Sequence, residues 1–276
     1  LRDSDIVGVA TPAFARDEHS WTASLAIPRS GRQDMTIQAY AISTHGDTLF
    51  CEHSLSFDIF EKGIAHTVVS TDSLLTVSSS EETLYRMMPL TVERADKRRI
   101  RNLTRHSNIY HINCGDTPLA GALKVTLDGG DELPKTAALY RSYNGSTNGK
   151  GWRFVSAQQD SGVFTGIVGG SAYLAILEDK LKPWVAAYFP KPGAKVKSKH
   201  PRIRARLEDT GSGIAGSNSI EMSIDGITIY GEYDPEQKWV SYIPRNPLKS
   251  GSHAVTVKVT DQAGNDKSIS WKFSVL

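Results

Sequence analysis

The closing stretch HAVTVKVTDQAGNDKSISWKFSVL, His253 to Leu276, constrains the fold of this chain more than any other feature. Val255, Val257 and Val259 alternate with Thr256, Lys258 and Thr260. A polar knot, Asp261 to Asn265, interrupts, and a second alternating run ends in Trp271, Phe273 and Val275. A period of two is what a strand with one buried face requires. The Gly264-Asn265 pair tolerates the positive φ of a tight turn, so the two runs form a β-hairpin. The same alternation recurs in MTIQAYAI (Met35 to Ile42), ALKVTLD, AALYRSY, AYLAILED, RIRARLED and IEMSIDGITIYGEYD, each bounded by Gly, Asn, Asp or Pro. Many short strands joined by turns predict an all-β chain of tandem β-sandwiches. One helical candidate interrupts them: SSSEETLYRMMPL, Ser78 to Leu90, has a Ser cap and an acidic first turn before Pro89 ends it.

At 276 residues the chain exceeds the usual domain of roughly 100–200 residues, so two or three domains are expected. A composition break falls at EDKLKPWVAAYFPKPGAKVKSKHPRIR, where four prolines between Pro183 and Pro201 read as a linker into a new domain. A softer break lies near Phe60 to Val68. Trp21 to Phe60 can be laid beside Trp239 to Val275. Each begins a strand at Trp, passes a Ser-Gly turn, an alternating strand and a Gly-Asp or Gly-Asn hairpin, and closes on aromatics. The expected units are 1–62, the tail of one sandwich, complete or truncated; 63–182, a second sandwich; and 183–276, a third.

The last unit resembles the immunoglobulin-like, or fibronectin-like, modules of bacterial envelope proteins. The resemblance rests on LEDTGSGI (Leu207 to Ile214), IEMSIDGITI (Ile220 to Ile229), PLKSGSHAVTVKVTDQAGN and the closing FSV. Ile64 to Asp179 is similar to the β-sandwich that precedes such a module in lysostaphin-type (LytM-like) metallopeptidases, through SLLTVSSSEETLYRMMPLTVE, YHINCGDTPLAGALKVTLD and GIVGGSAYLAILEDKLKP. The resemblance implies the fold and a periplasmic or cell-surface location. It does not carry over the activity: the His-x3-Asp and His-x-His pairs that hold zinc in those peptidases do not occur here.

The formal charge of +2 argues against a nucleic-acid partner. The dense basic run RADKRRIRNLTRH, Arg94 to His106, reads first as a solvated loop or strand edge and second as a site for an anionic polymer. No apolar run approaches the ~20 residues that span a membrane. The chain starts at Leu1 without Met, as a cut or mature form would, so the lack of a leader says little about compartment. Cys51 and Cys114 could form one disulfide in an oxidising compartment, and are read in preference as two buried thiols.

Zinc catalysis needs three converging ligands; the closest histidines, His106 and His111, are placed on opposite faces of a strand by their spacing. GSGIAG and VGGSAY lack the strand–elbow–helix context of a hydrolase nucleophile. NGSTNGKG, Asn144 to Gly151, lacks the Lys-Ser/Thr and following helix of a phosphate loop. No catalytic or metal-ligating residue is therefore assigned, and no cofactor is expected. The acidic turns LDGGDE (Asp128, Asp131, Glu132), LEDTGSG (Glu208, Asp209) and TDQAGND (Asp261, Asn265, Asp266) are read as hairpin chemistry first and as calcium ligands second. Trp152, Tyr140 and Tyr143, with Arg98 and Arg99, form a candidate ligand surface; Trp184, Tyr188 and Phe189 fall in the linker, and Trp239 and Trp271 on core faces. The expectation is a non-catalytic ectodomain that spaces or docks a protein or cell-wall polymer at the bacterial envelope. The alternative is a carbohydrate- or cell-wall-binding accessory region of a larger peptidoglycan hydrolase.

Overall fold

The structure, a computed structural model, describes residues 14–17, 20–22, 31–42, 45–95, 100–145, 151–157 and 162–276. Strands β1 (Phe14–Asp17) and β2 (Ser20–Thr22) form a two-stranded sheet. There follow β3 (Gly31–Ile42), β4 (Thr48–Phe60), β5 (His66–Val69), β6 (Leu75–Ser79), β7 (Met88–Arg94), β8 (Thr104–Arg105), β9 (Tyr110–Asn113), β10 (Leu123–Asp128), β11 (Ala137–Ser142), β12 (Arg153–Ala157), β13 (Val163–Val168) and β14 (Ala172–Glu178). They build two antiparallel sheets, β13-β10-β6-β5 and β12-β11-β14-β9-β7-β4-β3, with β8 flanking β14. Leu75, Val77, Leu123, Val125 and Leu127 of the first sheet pack against Leu139, Leu174 and Ile176 of the second. Period-two alternation produces this core, because every second side chain faces the partner sheet.

The larger sheet is covered on its other face too. Ala138, Tyr140, Ala175 and Leu177 alternate with the core residues of β11 and β14 and form a second cluster with Trp152, Ile100 and Leu103. Central strands buried on both faces read as near-continuous apolar runs, as AALY and AYLAIL do. Ile100 and Leu103 are the anchors by which the second half of the basic run lies down on the sheet.

The C-terminal sandwich contains β15 (Trp184–Phe189), β16 (Lys195–Val196), β17 (Ile203–Glu208), β18 (Ile220–Ile224), β19 (Ile227–Ile229), β20 (Glu232–Asp234), β21 (Trp239–Tyr242), β22 (Gly251–Thr260) and β23 (Asp266–Val275). Its sheets are β15-β17-β21-β20 and β16-β23-β22-β18-β19. The closing hairpin forms as its alternation predicts: β22 and β23 pair from Gly251↔Val275 to Thr260↔Asp266, and Val255, Val257, Val259, Trp271 and Phe273 are buried. Among the described residues there is no α-helix; a short 3-10 turn spans Ser217–Ser219.

Four expectations change. Residues 31–60 do not build a sandwich of their own: β3 and β4 are a long hairpin that joins the larger sheet where Asp58 to Phe60 of β4 pair with β7. The likeness to the C-terminal hairpin holds at this level, since both start on a Ser-Gly pair, but β3–β4 lacks an opposing sheet among the described residues. The helical candidate is strand, turn and strand. Its Ser cap closes a single turn in which Thr83 Oγ1 accepts from the Ser80 N–H at 2.8 Å, and Pro89 lies within β7 opposite Ile59. The linker shrinks to residues 179–183, because WVAAYF is strand β15. Trp239 lies on the outer face, where the Arg204 guanidinium sits 4.5 Å from its ring centroid and 4.8 Å from that of Phe189. A fifth changes in part: both cysteines are free thiols and Cys114 is buried, but Cys51 is exposed.

The β18–β19 turn carries a titratable lock. Asp225 and Gly226 have φ of 50° and 81°, the positive values a two-residue hairpin turn demands. The Asp225 carboxylate accepts from the Ala254 N–H at 2.8 Å and meets His253 Nδ1 at 2.7 Å, while His253 Nε2 meets the Lys249 carbonyl at 2.7 Å. Two acceptors around one imidazole favour the doubly protonated ring, so Lys249 and then Asp225 raise the His253 pKa above 6.5. The Asp225 pKa is lowered, its N–H and imidazole bonds outweighing desolvation together. A raised histidine stabilises the fold fully below its unfolded pKa and loses that contribution as pH rises through the folded value. A lowered aspartate contributes above its unfolded pKa. The lock is therefore strongest between about pH 4 and 6.5. Asp225→Asn, which keeps the turn, should remove roughly 0.5–1 kcal/mol at pH 5.5 and much less at pH 9; urea denaturation at the two pH values checks this.

Candidate functional site

β14 runs through the centre of the larger sheet and ends at Glu178; the next residue begins the passage to β15. Alternation places residue 179 on the same face as Ala175 and Leu177, the face that holds Tyr140. Here the two sandwiches meet. The Asp179 side chain is fully buried, and its Oδ1 accepts from the Leu181 N–H at 2.9 Å. Its Oδ2 accepts from the N–H of Ser212, across the junction, at 2.5 Å. The Asp179 carbonyl accepts from Asn265 Nδ2 at 2.9 Å.

Two loops of the C-terminal sandwich bring the other members. Asp209 follows β17, and its Oδ2 accepts from the N–H groups of Gly211 at 2.9 Å and Gly213 at 2.7 Å. Asp261 follows β22, is 3% exposed, and accepts from the Asn265 N–H at 2.7 Å and from Asn265 Nδ2 at 2.9 Å. The loops are knitted together: Gln262 N–H donates to the Gly213 carbonyl, Ala263 N–H to Ser212 Oγ, and Gln262 Nε2 to the Ser212 carbonyl. As a result one carboxylate oxygen from each of Asp179, Asp209 and Asp261 lies within 4.8 Å of the others. Gly211 makes this approach feasible, because a Cβ there would stand 1.8 Å from Asp179 Oδ2.

The electrostatics follow from burial. Desolvation pushes the Asp261 pKa up to about 6, with the charges of Asp179 and Asp209 adding and the Asn265 bonds opposing. Asp209 is raised for the same leading reason. Among the described residues, no Lys, Arg or His forms an ion pair with any of the three. Beneath them Tyr140 is wholly buried, and its hydroxyl has no hydrogen-bond partner. Burial first, then the fields of Asp179, Asp261 and Asp209, push the phenol pKa upward, opposed by the Ser212 hydroxyl beside it. Asp209 Oδ1 is likewise buried and unpartnered. The donor set is all oxygen, the chemistry of hard cations.

The sequence-predicted residues are distributed differently. Asp209, Asp261 and Asn265 converge, whereas Asp128 caps its own turn through the Gly130 N–H and Glu208 pairs with Arg206. Asp179 carries no turn signature in the sequence, and only the alternation of β14 places it beside Tyr140. The proposed aromatic surface is corrected: Trp152 is 1% exposed and Tyr140 fully buried, so neither can present a ring to a sugar. Tyr143 is exposed, under the Arg141 guanidinium at 5.1 Å from its centroid. Arg98 and Arg99, like residues 146–150 of the Gly-rich loop, lie outside the described residues.

Fold and site together define a protein of tandem β-sandwiches with a buried acidic joint. No family model matches the chain, and no curated protein matches it. Among solved structures it is similar to CopC from Methylosinus trichosporium OB3b, at 16% identity and a TM-score of 0.29, over 34% of this chain and 92% of that one. That likeness is too low to carry a function across.

Gly211→Ala should cost about 1–3 kcal/mol, because backbone and a buried carboxylate must both move. Gly169→Ala, where an added Cβ meets nothing within 4 Å, should stay within about 0.5 kcal/mol. Trp152→Ala should lose about 3–5 kcal/mol as a cavity mutation. Chemical denaturation of the three variants checks all of these, and a Trp152→Ala chain of native stability would return the indole to the surface.

Proposed function

We propose that this chain is a non-catalytic spacer of the bacterial envelope, a pair of β-sandwiches held at a fixed angle so that a bound partner is presented at a set distance. The observation that carries the reading is the joint. Asp179, from the end of the larger sheet, is bonded through side chain and carbonyl to Ser212 and Asn265 of the next sandwich. Buried hydrogen bonds to a carboxylate contribute about 1.5–3 kcal/mol each, and they are directional, so they fix orientation as well as contact. A passage of five residues, 179–183, leaves little slack between the sandwiches.

The chemistry of the described residues supports the same reading. The group of acids that converges is enclosed at the joint, with Asp179 fully buried and Asp261 3% exposed, whereas a reaction centre needs an open position that substrate can reach. The envelope location rests on the resemblance of the C-terminal sandwich to modules found there. The cell-wall-binding alternative has lost Trp152 and Tyr140 as surface residues.

Asp179→Ala should leave both sandwiches folded and widen the distribution of distances between them. Spin labels on one exposed strand of each, read by double electron–electron resonance, measure this. An unchanged narrow distribution would assign the fixed angle to something other than the joint. Incubation of the purified chain with peptidoglycan should release no fragments; release would replace the spacer with an enzyme.

A further inference from the structure

We propose that the joint binds one hard divalent cation of the calcium class, held by Asp179 of the middle sandwich and by Asp209 and Asp261 of the C-terminal one. This rests on the spacer reading and deepens it, since such an ion would clamp the two sandwiches together.

Geometry comes first. Three oxygens no more than 4.8 Å apart share a centre at most about 2.8 Å from each. Calcium–oxygen bonds are about 2.3–2.6 Å, so a contraction of a few tenths of an ångström forms the site. Magnesium asks for about 2.1 Å and a strict octahedron, a larger rearrangement of a packed joint. Zinc and copper favour nitrogen or sulfur donors, and the group contains neither.

The carboxylates are already oriented. Six N–H groups, from Leu181, Ser212, Gly211, Gly213 and Asn265 (backbone and side chain), hold them. Three carboxylates offer about a dozen acceptor sites, so the amides fix the groups and leave lone pairs free. Fixing ligands by an outer shell of hydrogen bonds is how metal sites are prepared.

An independent observation points to the same ligand. Tyr140, fully buried, directs an unpartnered hydroxyl into the field of all three carboxylates, and Asp209 Oδ1 is buried with no partner. Buried polar atoms without partners are uncommon and costly. Two of them converge on one acidic cluster to which no basic side chain among the described residues is paired. A cation coordinated to Asp209 Oδ1, with the phenol reached directly or through its bound water, satisfies both.

The test uses the whole chain, stripped with EGTA. Calorimetric titration with calcium should show one site, with a dissociation constant on the order of 10⁻⁴–10⁻³ M, the range of extracellular modules, and the thermal midpoint should rise with calcium. Terbium should occupy the same site and luminesce on tyrosine excitation, with calcium displacing it. Asp209→Asn and Asp261→Asn should keep the β circular dichroism signal and lose at least tenfold in affinity. Tyr140→Phe should weaken calcium binding several-fold and lose most of the terbium emission. Unchanged calcium affinity in both Asn variants, terbium emission retained in Tyr140→Phe, tighter binding of magnesium than calcium, or no binding up to millimolar calcium would each overturn the proposal. The spacer reading is separable by small-angle scattering: a chain equally extended in EGTA and in calcium that binds none overturns the cation and leaves the spacer. A chain that binds calcium yet is flexible in its presence overturns the spacer and leaves the cation.

Discussion

A carboxylate taken out of water must find donors or a counter-charge, because an unpaired buried charge costs several kcal/mol. Asp179 meets this constraint at the end of β14, and much of the architecture beyond it follows. On the Tyr140 face the larger sheet gives Asp179 no hydrogen bond among the described residues, and the Tyr140 hydroxyl is unpartnered. The donors come forward from Leu181 and across from Ser212. The second sandwich is therefore docked where a buried carboxyl group obtains its N–H partners, and the turn containing Ser212 has to be glycine-rich to reach it.

The two-sided burial of the larger sheet has the same root. β14 lies between β11 and β9 and carries apolar residues on both faces, so both need cover. One is covered by the smaller sheet. The other is covered by irregular chain, with Ile100 and Leu103 from one segment and Trp152 from another. Covering a sheet with loops leaves polar ends to be satisfied, and the joint supplies them at one end of the strand. At its other edge the sheet continues into the β3–β4 hairpin, whose outer residues, such as Cys51 to Ser54, are exposed and held chiefly by strand pairing.

Alternation made the all-β class and the closing hairpin legible, because a strand with one buried face writes its period directly into the residues; Val255 to Val259 is such a case. It could not separate strands covered on one face from strands covered on two. Tyr140 and Trp152 therefore read as surface aromatics beside a Gly-rich loop, though nothing in AALYRSY fixes which side of the sheet is wet. Asp209 and Asp261 were legible as turn oxygens. Asp179 was not, because its partners Ser212 and Asn265 lie 33 and 86 residues further on and are brought near only by docking of the second sandwich. The Ser80 turn failed for a related reason: a cap signal says where a helical turn can start, and only tertiary pairing of β6 and β7 decides that it stops after one.

The joint is a balance of opposed forces. Two unit charges 4.8 Å apart repel by about 3.5 kcal/mol at an effective dielectric near 20, and three carboxylates make three such pairs when all are ionised. Against this stand six N–H bonds to carboxylate oxygens at about 1.5–3 kcal/mol each. The attractive sum is comparable to the repulsive one. The cluster that locates the second sandwich therefore also carries a force that would push it away, and its donors oppose that force. Hydrophobic contact alone would give a joint indifferent to charge. Building it from carboxylates makes the strength of docking depend on how that charge is compensated.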